Sequence, residues 1–566
     1  MSKDLALILS NKVNISDKYT QLVEYTGVQV QEYQYASDNT APGITNQIQF
    51  QNITPIGSLG NTLMSKRMYV QYQVQVVVTD AAPATGGGAA PYQVANVSHV
   101  FPTNSFANNN SVLSATAFGC VNSALRSFPL QQSAATLQMT LNSSTTTTSM
   151  NQVMPALVRL LDTKELMTSA ETCPTRPDDQ VWLYPDTNAV AGVLTGPATA
   201  GHCQSTQGRA FADWSRACVT AISATKVGGV ATYVYDIQEP LICPGVNTLY
   251  ADESFLPNIN NLSIVLSGLN LQNLYSSAPL FVGGVYTVYN DTVVVSIATT
   301  PQLCLQYIQV DNELVTIPPT VTMSYEAVNY FTSPSKLNTT VTQYPGIFSQ
   351  TLRLLSCPSK IVAWVGLNPI ARSPLDTDSC LALDRGAGCV NISYGARSGI
   401  LANADRQTIY KLSREAGNHQ TYQDFCSGSG SFVCLDPVKH FGINISNGDL
   451  LPGENGSVNF MIQMNLCNQN VLASLQGTPG ALLGEKDYQI FVAVFYKGTM
   501  SISSAGVNYN LGILSESEVK MLTNQGMTTS SEAIAPTIAG ASLYGNKSVL
   551  HKNASGRNKG GVLSYA

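Results

Sequence analysis

Charge is what this sequence has least of. Its 566 residues include 29 Lys+Arg and 35 Asp+Glu, or 11% of the chain, against roughly 25% in an ordinary soluble protein. Hydrophobic residues stand at an ordinary 44%, so Asn, Gln, Ser, Thr, Gly and Pro have replaced the missing charge. Three classes are thereby excluded. A disordered chain combines low hydrophobicity with high net charge, and this one has a net charge of only -6. A basic nucleic-acid binder needs surplus Lys and Arg on one face. A coiled coil is built largely from Ala, Glu, Lys, Leu and Arg.

The shortage is concentrated. Residues 81–125 carry no charged side chain and neither do 127–158, which leaves Arg126 alone in that region; 254–290 is again free of charge. A monomer usually keeps roughly a quarter to a third of its surface charged. Long neutral tracts therefore point to surface covered by other protein, with the uncharged exterior of a secreted or cell-wall protein as the competing explanation.

Long hydrophobic runs are missing too. The apolar run at residues 5–9 is shorter than the ~7–15 residues of a secretory signal core, and Asp4 stands where positive charge is expected. Gln, Asn or Ser interrupts every other stretch well before the ~20 apolar residues of a spanning helix. A chain made in the cytosol and soluble there is the expectation. The 12 cysteines (Cys120, Cys173, Cys203, Cys218, Cys243, Cys304, Cys357, Cys380, Cys389, Cys426, Cys434 and Cys467) contain no CxxC pair, so neither a zinc ribbon nor a thioredoxin-type site is indicated. Free thiols behaving as small buried apolar groups fit better than disulfides. Triplets such as Asn52-Ile53-Thr54 and Asn391-Ile392-Ser393 arise by chance in a chain this rich in Asn, Ser and Thr.

Catalytic constellations do not assemble. His99, His202, His419, His440 and His551 form no HExxH and no i, i+4 pair. His202 and Cys203 are adjacent, and neighbouring side chains on a strand point to opposite faces. The run Cys426-Ser427-Gly428-Ser429-Gly430-Ser431 lacks the Lys-Ser/Thr of a phosphate loop and is too short for a serine-hydrolase elbow. Asp178-Asp179, beside Arg176 and Pro177, reads as a polar turn without the further oxygen ligands of a calcium loop. Trp182, Trp214 and Trp364 read as core or interface anchors. No enzyme is expected, and no catalytic, cofactor-binding or metal-binding residue is assigned.

Strand pattern is what the chain does have. Val70, Tyr72, Val74, Val76 and Val78 alternate with Gln71, Gln73 and Gln75. Val458, Phe460, Ile462, Met464 and Leu466 alternate with Asn459, Gln463 and Asn465. Each reads as a strand with one buried and one polar face. Runs at 230–237, 262–266, 293–298, 303–310, 321–330, 361–365 and 488–496 are richer in β-branched and aromatic residues, which suits strands buried on both faces. Helices are few: 151–167 around Val153, Leu157 and Leu161, with Pro155 near its start; 403–416 with Asn403 as cap and Gly417 as stop; and a capping box at Ser515-Glu516-Ser517-Glu518. Two of them lie inside strand-rich territory, as loop decorations.

The fold class is therefore all-β, with two consecutive sandwiches. The expected division is an N-terminal arm at 1–25, a first sandwich at 26–270, a second at 271–514, and a C-terminal helix with a basic tail at 515–566. The seam is set near 268–279, where Gly268, Asn270, Asn273 and Ser276-Ser277 follow a strand. Unstructured loops at 80–91 and 186–216 read as exposed crowns or partner contacts. The last 34 residues contain no acid but hold Lys547, Lys552, Arg557 and Lys559. They read as a frayed terminus, or as an arm that ties subunits or touches packaged nucleic acid.

The order of these elements resembles the double jelly-roll major capsid proteins of the tectivirus–adenovirus lineage, and among them is most similar to virophage and polinton-like virus capsid proteins. The residues concerned run along nearly the whole chain. Gly27-Val28-Gln29-Val30-Gln31-Glu32-Tyr33 leads into Ile48-Gln49-Phe50 and the strand from Val70. Phe128-Pro129-Leu130, Leu137-Gln138-Met139-Thr140-Leu141 and the helix from Val153 follow. Next come Ile237-Gln238-Glu239-Pro240-Leu241-Ile242, then Leu355-Ser356-Cys357-Pro358-Ser359-Lys360-Ile361-Val362 and the helix around Tyr410.

The resemblance implies a homotrimer whose six jelly rolls form a pseudo-hexameric capsomer in an icosahedral DNA-virus shell. It implies no catalytic residue. Its partners would be copies of itself, neighbouring capsomers, and penton or minor capsid proteins, with no sequence-specific nucleic acid; contact with an internal membrane is left open. The location would be the virion, assembled in the host cytoplasm or nucleus without secretion. A secreted or cell-surface β-sandwich adhesin or carbohydrate binder is the alternative, favoured by Thr145-Thr146-Thr147-Thr148 and low charge. A single-jelly-roll RNA-virus capsid would need a basic N-terminal arm; residues 1–19 hold three Lys and two Asp.

Overall fold

Two sandwiches with one and the same strand order make up the chain, as seen in a computed structural model. It describes residues 29–39, 44, 46–54, 62–79, 123–162, 166, 169, 172–175, 221–227, 230–244, 246, 255–277, 280–282, 285–287, 292–309, 319–337, 346–369, 380–426, 430–443, 455–466 and 488–510. The principal strands of the first half are β1 (Gln29–Ala36), β2 (Gln47–Ile53), β3 (Thr62–Thr79), β4 (Thr136–Leu141), β5 (Ser144–Thr148), β6 (Val230–Leu241), β7 (Leu262–Ser267) and β8 (Gln302–Gln309). They hydrogen-bond in the orders β1-β8-β3-β6 and β2-β7-β4-β5. The second half supplies β9 (Thr320–Leu337), β10 (Leu352–Ser356), β11 (Lys360–Leu367), β12 (Val390–Tyr394), β13 (Arg397–Ile400), β14 (Val433–Leu435), β15 (Asn455–Met464) and β16 (Tyr488–Ser503). Their orders are β9-β16-β11-β14 and β10-β15-β12-β13. By position within each half, both read 1-8-3-6 and 2-7-4-5, the order of a jelly roll.

Alternation in the sequence becomes alternation in space. On β3, Val70, Tyr72, Val74 and Val76 are buried while Gln71, Gln73 and Gln75 are half-buried. On β15, Val458, Phe460, Ile462 and Met464 point inward. Each such side chain taken fully out of water contributes about 1.5–3 kcal/mol.

The runs expected to be buried on both faces divide into two kinds. Leu262–Ser267 alternates strictly, with Leu262, Ile264 and Leu266 buried and Ser263, Val265 and Ser267 half-buried. Ile361 to Val365 on β11 and nearly all of β16 to Tyr496 are buried throughout. On these strands Ile361, Ala363, Val365, Ile490, Val492 and Val494 belong to the second sandwich's own core. Val362, Trp364, Phe491, Ala493 and Phe495 face the other way, into a core shared with the first half. Their sheet is an internal wall, covered on both sides.

Three expectations are corrected. The division at 270/271 cuts through the first sheet: β8 pairs with β1 and β3, and Thr292–Ile297 pairs with β3. The chain has to return after residue 271 because the last strand of a jelly roll sits beside its first. The second correction concerns the helices. The first long helix is α2 (Met150–Leu160), after the short α1 (Pro129–Ser133), and it carries Pro155 in its interior. It ends at Leu161, whose backbone is extended, and not at 167. The next, α3 (Arg406–Glu415), is capped by Asp405 and not Asn403: the carboxylate accepts the Thr408 N–H at 2.9 Å. Thirdly, α2 is no loop decoration, for every residue on it except Gln152 is buried.

The second neutral tract has the same explanation. Residues 127–134 are all buried, as is most of α2, so this stretch lacks charge because it forms interior of its own chain. The capping box at 515–518, both terminal arms and the loops at 80–91 and 186–216 lie outside the described residues.

Candidate functional site at the junction of the two sandwiches

A buried carboxylate anchors the elements that reach the junction. Ile237, Glu239 and Leu241 share the inward face of β6, and all are 0% exposed. Glu239 Oε2 accepts hydrogen bonds from the Tyr72 hydroxyl (2.6 Å) and the Leu130 N–H (2.9 Å). Its Oε1 accepts the Gln131 backbone N–H and side-chain Nε2–H, both at 3.0 Å. The carboxylate thus satisfies amides at the start of α1, whose first helical residue, Pro129, has no N–H to satisfy. Gln131 completes the staple: Nε2 donates to Pro240 O at 2.7 Å and Oε1 accepts the Ile242 N–H at 2.8 Å. Burial pushes the Glu239 carboxyl above its ordinary range, against the pull of its four donors. It also pushes the nearby Tyr72 hydroxyl and Cys173 thiol well up.

From α1 the chain passes to α2, pinned by Met150 N–H to Ala135 O (3.0 Å) and Asn151 N–H to Ala134 O (3.0 Å). The last turn of α2 meets the second sandwich. The Arg159 guanidinium lies 4.2 Å from the centre of the Phe432 ring, and Arg159 O accepts the His419 N–H at 2.9 Å. Phe432 in turn stacks on Trp364, which stacks on Phe491, with centroids 5.2 and 5.6 Å apart. Trp364 is thus the interface anchor the sequence suggested; Trp182 and Trp214 lie outside the described residues.

A second contact is entirely neutral. Asn142 turns the chain between β4 and β5 with φ 53. Its Nδ2 donates to Asn258 O (3.0 Å) and, across the junction, to Ser503 O (2.7 Å), while its Oδ1 accepts the Asn260 N–H at 2.7 Å. Ser143 Oγ donates to Ala505 O at 3.1 Å, Ser144 Oγ donates to Val507 O, and Asn260 Nδ2 donates to Ser504 O at 3.2 Å. Hydroxyls and amides thus fasten the turn to the hairpin between β16 and Gly506–Asn510 without burying a charge.

The titratable residues weighed in the sequence are scattered. His419 stands at the junction and His440 ends α5 (Pro437–His440), which follows α4 (Tyr422–Cys426); His99, His202, His551, Cys203, Asp178 and Asp179 lie outside the described residues. Among the described residues, no group of three or more His, Cys, Asp or Glu is placed to hold a metal. The eight described cysteines form no disulfide with one another, and seven are buried. Burial raises the Cys243, Cys380 and Cys434 thiols to about 12, even with Arg159 beside Cys380. Glu239 and Asn142 were not singled out by the sequence reading. The period-two face Ile237, Glu239, Leu241 held the signal for Glu239; Asn142 stands in a neutral turn that nothing distinguishes.

Two jelly rolls in tandem, locked by an apolar wall and a neutral turn, define the double jelly-roll class of viral capsid protein. The chain belongs to the virophage major capsid protein family. The model of the Sputnik virophage major capsid protein first domain matches residues 4–281, and that of the major capsid protein V20 C-terminal domain matches 328–479, well over half of the chain between them. A putative capsid protein V20 of Sputnik virophage is 24% identical over 232 residues, spanning 36% of this chain and 35% of that protein. The match thus covers about a third of the length of that relative. The cryo-EM structure of Sputnik virophage superposes with a TM-score of 0.65 at 19% identity, covering 90% of this chain and 94% of its own. The mavirus major capsid protein gives 0.59 at 16% identity, with the same coverages. The adhesin alternative finds no support in these relatives.

Proposed function

We propose that three copies of this chain close into a ring of six jelly rolls, a pseudo-hexameric capsomer that tiles an icosahedral DNA-virus shell. The observation that carries this reading is the duplicated topology with a defined contact between its halves. A contact between unlike surfaces, repeated head to tail, either closes into a ring or runs on as a filament. When one chain supplies two like units, a six-unit ring needs three chains. We take the first unit to extend to residue 309 and the second to begin at 320. The protein would act by self-association in the virion, with no chemistry to perform. Penton or minor capsid proteins would be met where rings of six cannot tile a closed shell.

Light scattering on the purified protein tests this. A mass near three chains is expected, with hexagonal outlines in negative stain. A stable monomer at micromolar concentration overturns the reading.

A further inference from the structure

The contact seen inside the chain has an unfilled counterpart on its outside. Between the fifth and sixth strands each half places a helix of ten or eleven residues, α2 in the first and α3 in the second, where the shorter α4 follows it. Each carries Arg as its penultimate residue, Arg159 and Arg414. Helix α2 fills its place against β9 and the outer face of the second sandwich's wall, and it is almost wholly buried there. The equivalent stripe of α3 is open: Gln407, Lys411 and Arg414 are exposed. Arg414 Nη1 donates to Asn418 O at 3.1 Å, which holds the guanidinium in place.

The matching face of the first sandwich is open in part: Gln71, Gln73, Gln238 and Gln302 are half-buried there, while Cys304, paired with Tyr69, is buried. Met68, Val70 and Tyr72 point into the core, so their neighbours Tyr69, Gln71 and Gln73 point out. Gln302, Gln71 and Gln238 lie in one cross-strand row, and Gln73 is paired with Asp236 in the next. Asp236 and, on edge strand β1, Glu32 are exposed acids.

We propose that α3 of one copy docks on the outer β1-β8-β3-β6 face of the next copy, in the place that α2 takes within the chain. The inference rests on the ring reading and names the surfaces that close it. The two seats differ in chemistry as their tasks differ. The α2 seat is apolar, built of Val362, Trp364 and Phe491, and holds two halves that never separate. The α3 seat is a carpet of primary amides rimmed by Glu32 and Asp236, facing Lys411 and Arg414. Amides donate and accept without stranding a charge, and opposite charges at the rim steer and orient the partner.

The test pairs Lys411→Glu with Arg414→Glu in the full-length chain. Light scattering should show wild-type mass near three chains and double-variant mass near one, with circular dichroism unchanged. Lys439→Glu, a control at the exposed residue of α5, should remain a trimer. A trimeric double variant overturns this inference and leaves the ring standing; a monomeric wild type overturns both. If the double variant does not fold, zero-length carbodiimide coupling of wild-type protein assembled from 14N and 15N chains decides. A link from Lys411 to Glu32 or Asp236 between differently labelled chains is expected. Other interchain links without that one overturn the inference.

Discussion

Tyr72 donates its hydroxyl hydrogen to Glu239 across 2.6 Å in the interior of the first sandwich, joining adjacent strands β3 and β6. The same carboxylate fixes α1, and through it the helix that crosses to the second sandwich. A group this far from solvent, with four donors aimed at it, contributes to both the stability and the pH response of the first half.

Tyr72→Phe removes one donor from a buried carboxylate. It should lower stability by about 1–3 kcal/mol, read by chemical denaturation. Burial raises the Glu239 carboxyl above its ordinary 4.5 in the folded state. Between 4.5 and that raised value the native state holds a proton that the unfolded state lacks, so this contribution grows as pH falls. Glu239→Gln should abolish that acid stabilisation. An unchanged slope of stability against pH in the variant would count against the assignment.

His440 works with the opposite sign. Its Nδ1 accepts the Asp436 N–H at 3.1 Å, and its Nε2 lies 3.8 Å from Glu415 Oε2 with the side chain 3% exposed. Burial holds the imidazole below its ordinary 6.5, with Lys439 adding to that and Asp436 and Glu415 opposing it. The folded state therefore prefers neutral His440, and its contribution, present above 6.5, is lost as pH falls through the lowered folded value. Melting temperature followed from pH 7.5 downward should fall less in His440→Gln than in wild type.

Asn142 makes its contacts from a left-handed backbone. Asn142→Ala loses the bonds to Ser503 O, Asn258 O and Asn260 N–H and strains the turn, for a cost of roughly 1–3 kcal/mol. Asn142→Asp keeps the acceptor but not the Nδ2 donor. It should open the hairpin at 503–507 to limited proteolysis while leaving the first sandwich folded.

Phe432 bridges Arg159 to Trp364. Phe432→Ala should cost about 3–5 kcal/mol and split thermal unfolding into two steps, because the wall no longer couples the sandwiches. A single cooperative transition in calorimetry would show that the neutral turn alone holds them.

Much of the architecture was legible in the residues. The Val70-to-Val76 and Val458-to-Met464 alternations, the turn-rich connections and the absence of long helices dictate half-buried strands wherever they are placed. The seam was not legible. Gly268 and Asn270 read as a boundary because local composition does not reveal that Leu303 and Leu305 return to pair with β1 and β3, more than two hundred residues away in sequence. The burial of 127–134 and of α2 was hidden for a similar reason. A neutral stretch has the same composition whether it meets another subunit or its own chain.

The sequence by itself determined an all-β chain with two sandwiches' worth of strands and buried thiols, because these follow from period, composition and spacing. Only the tertiary structure decided which strands pair, why Ile361 to Val365 and Phe491 to Tyr496 are apolar on both faces, how Glu239 anchors α1 within the first sandwich, and how Arg159 and Asn142 lock one sandwich to the other. Local rules select the type of each element. Long-range pairing and the burial of a second face depend on which distant residues arrive beside it, and only the folded chain specifies that.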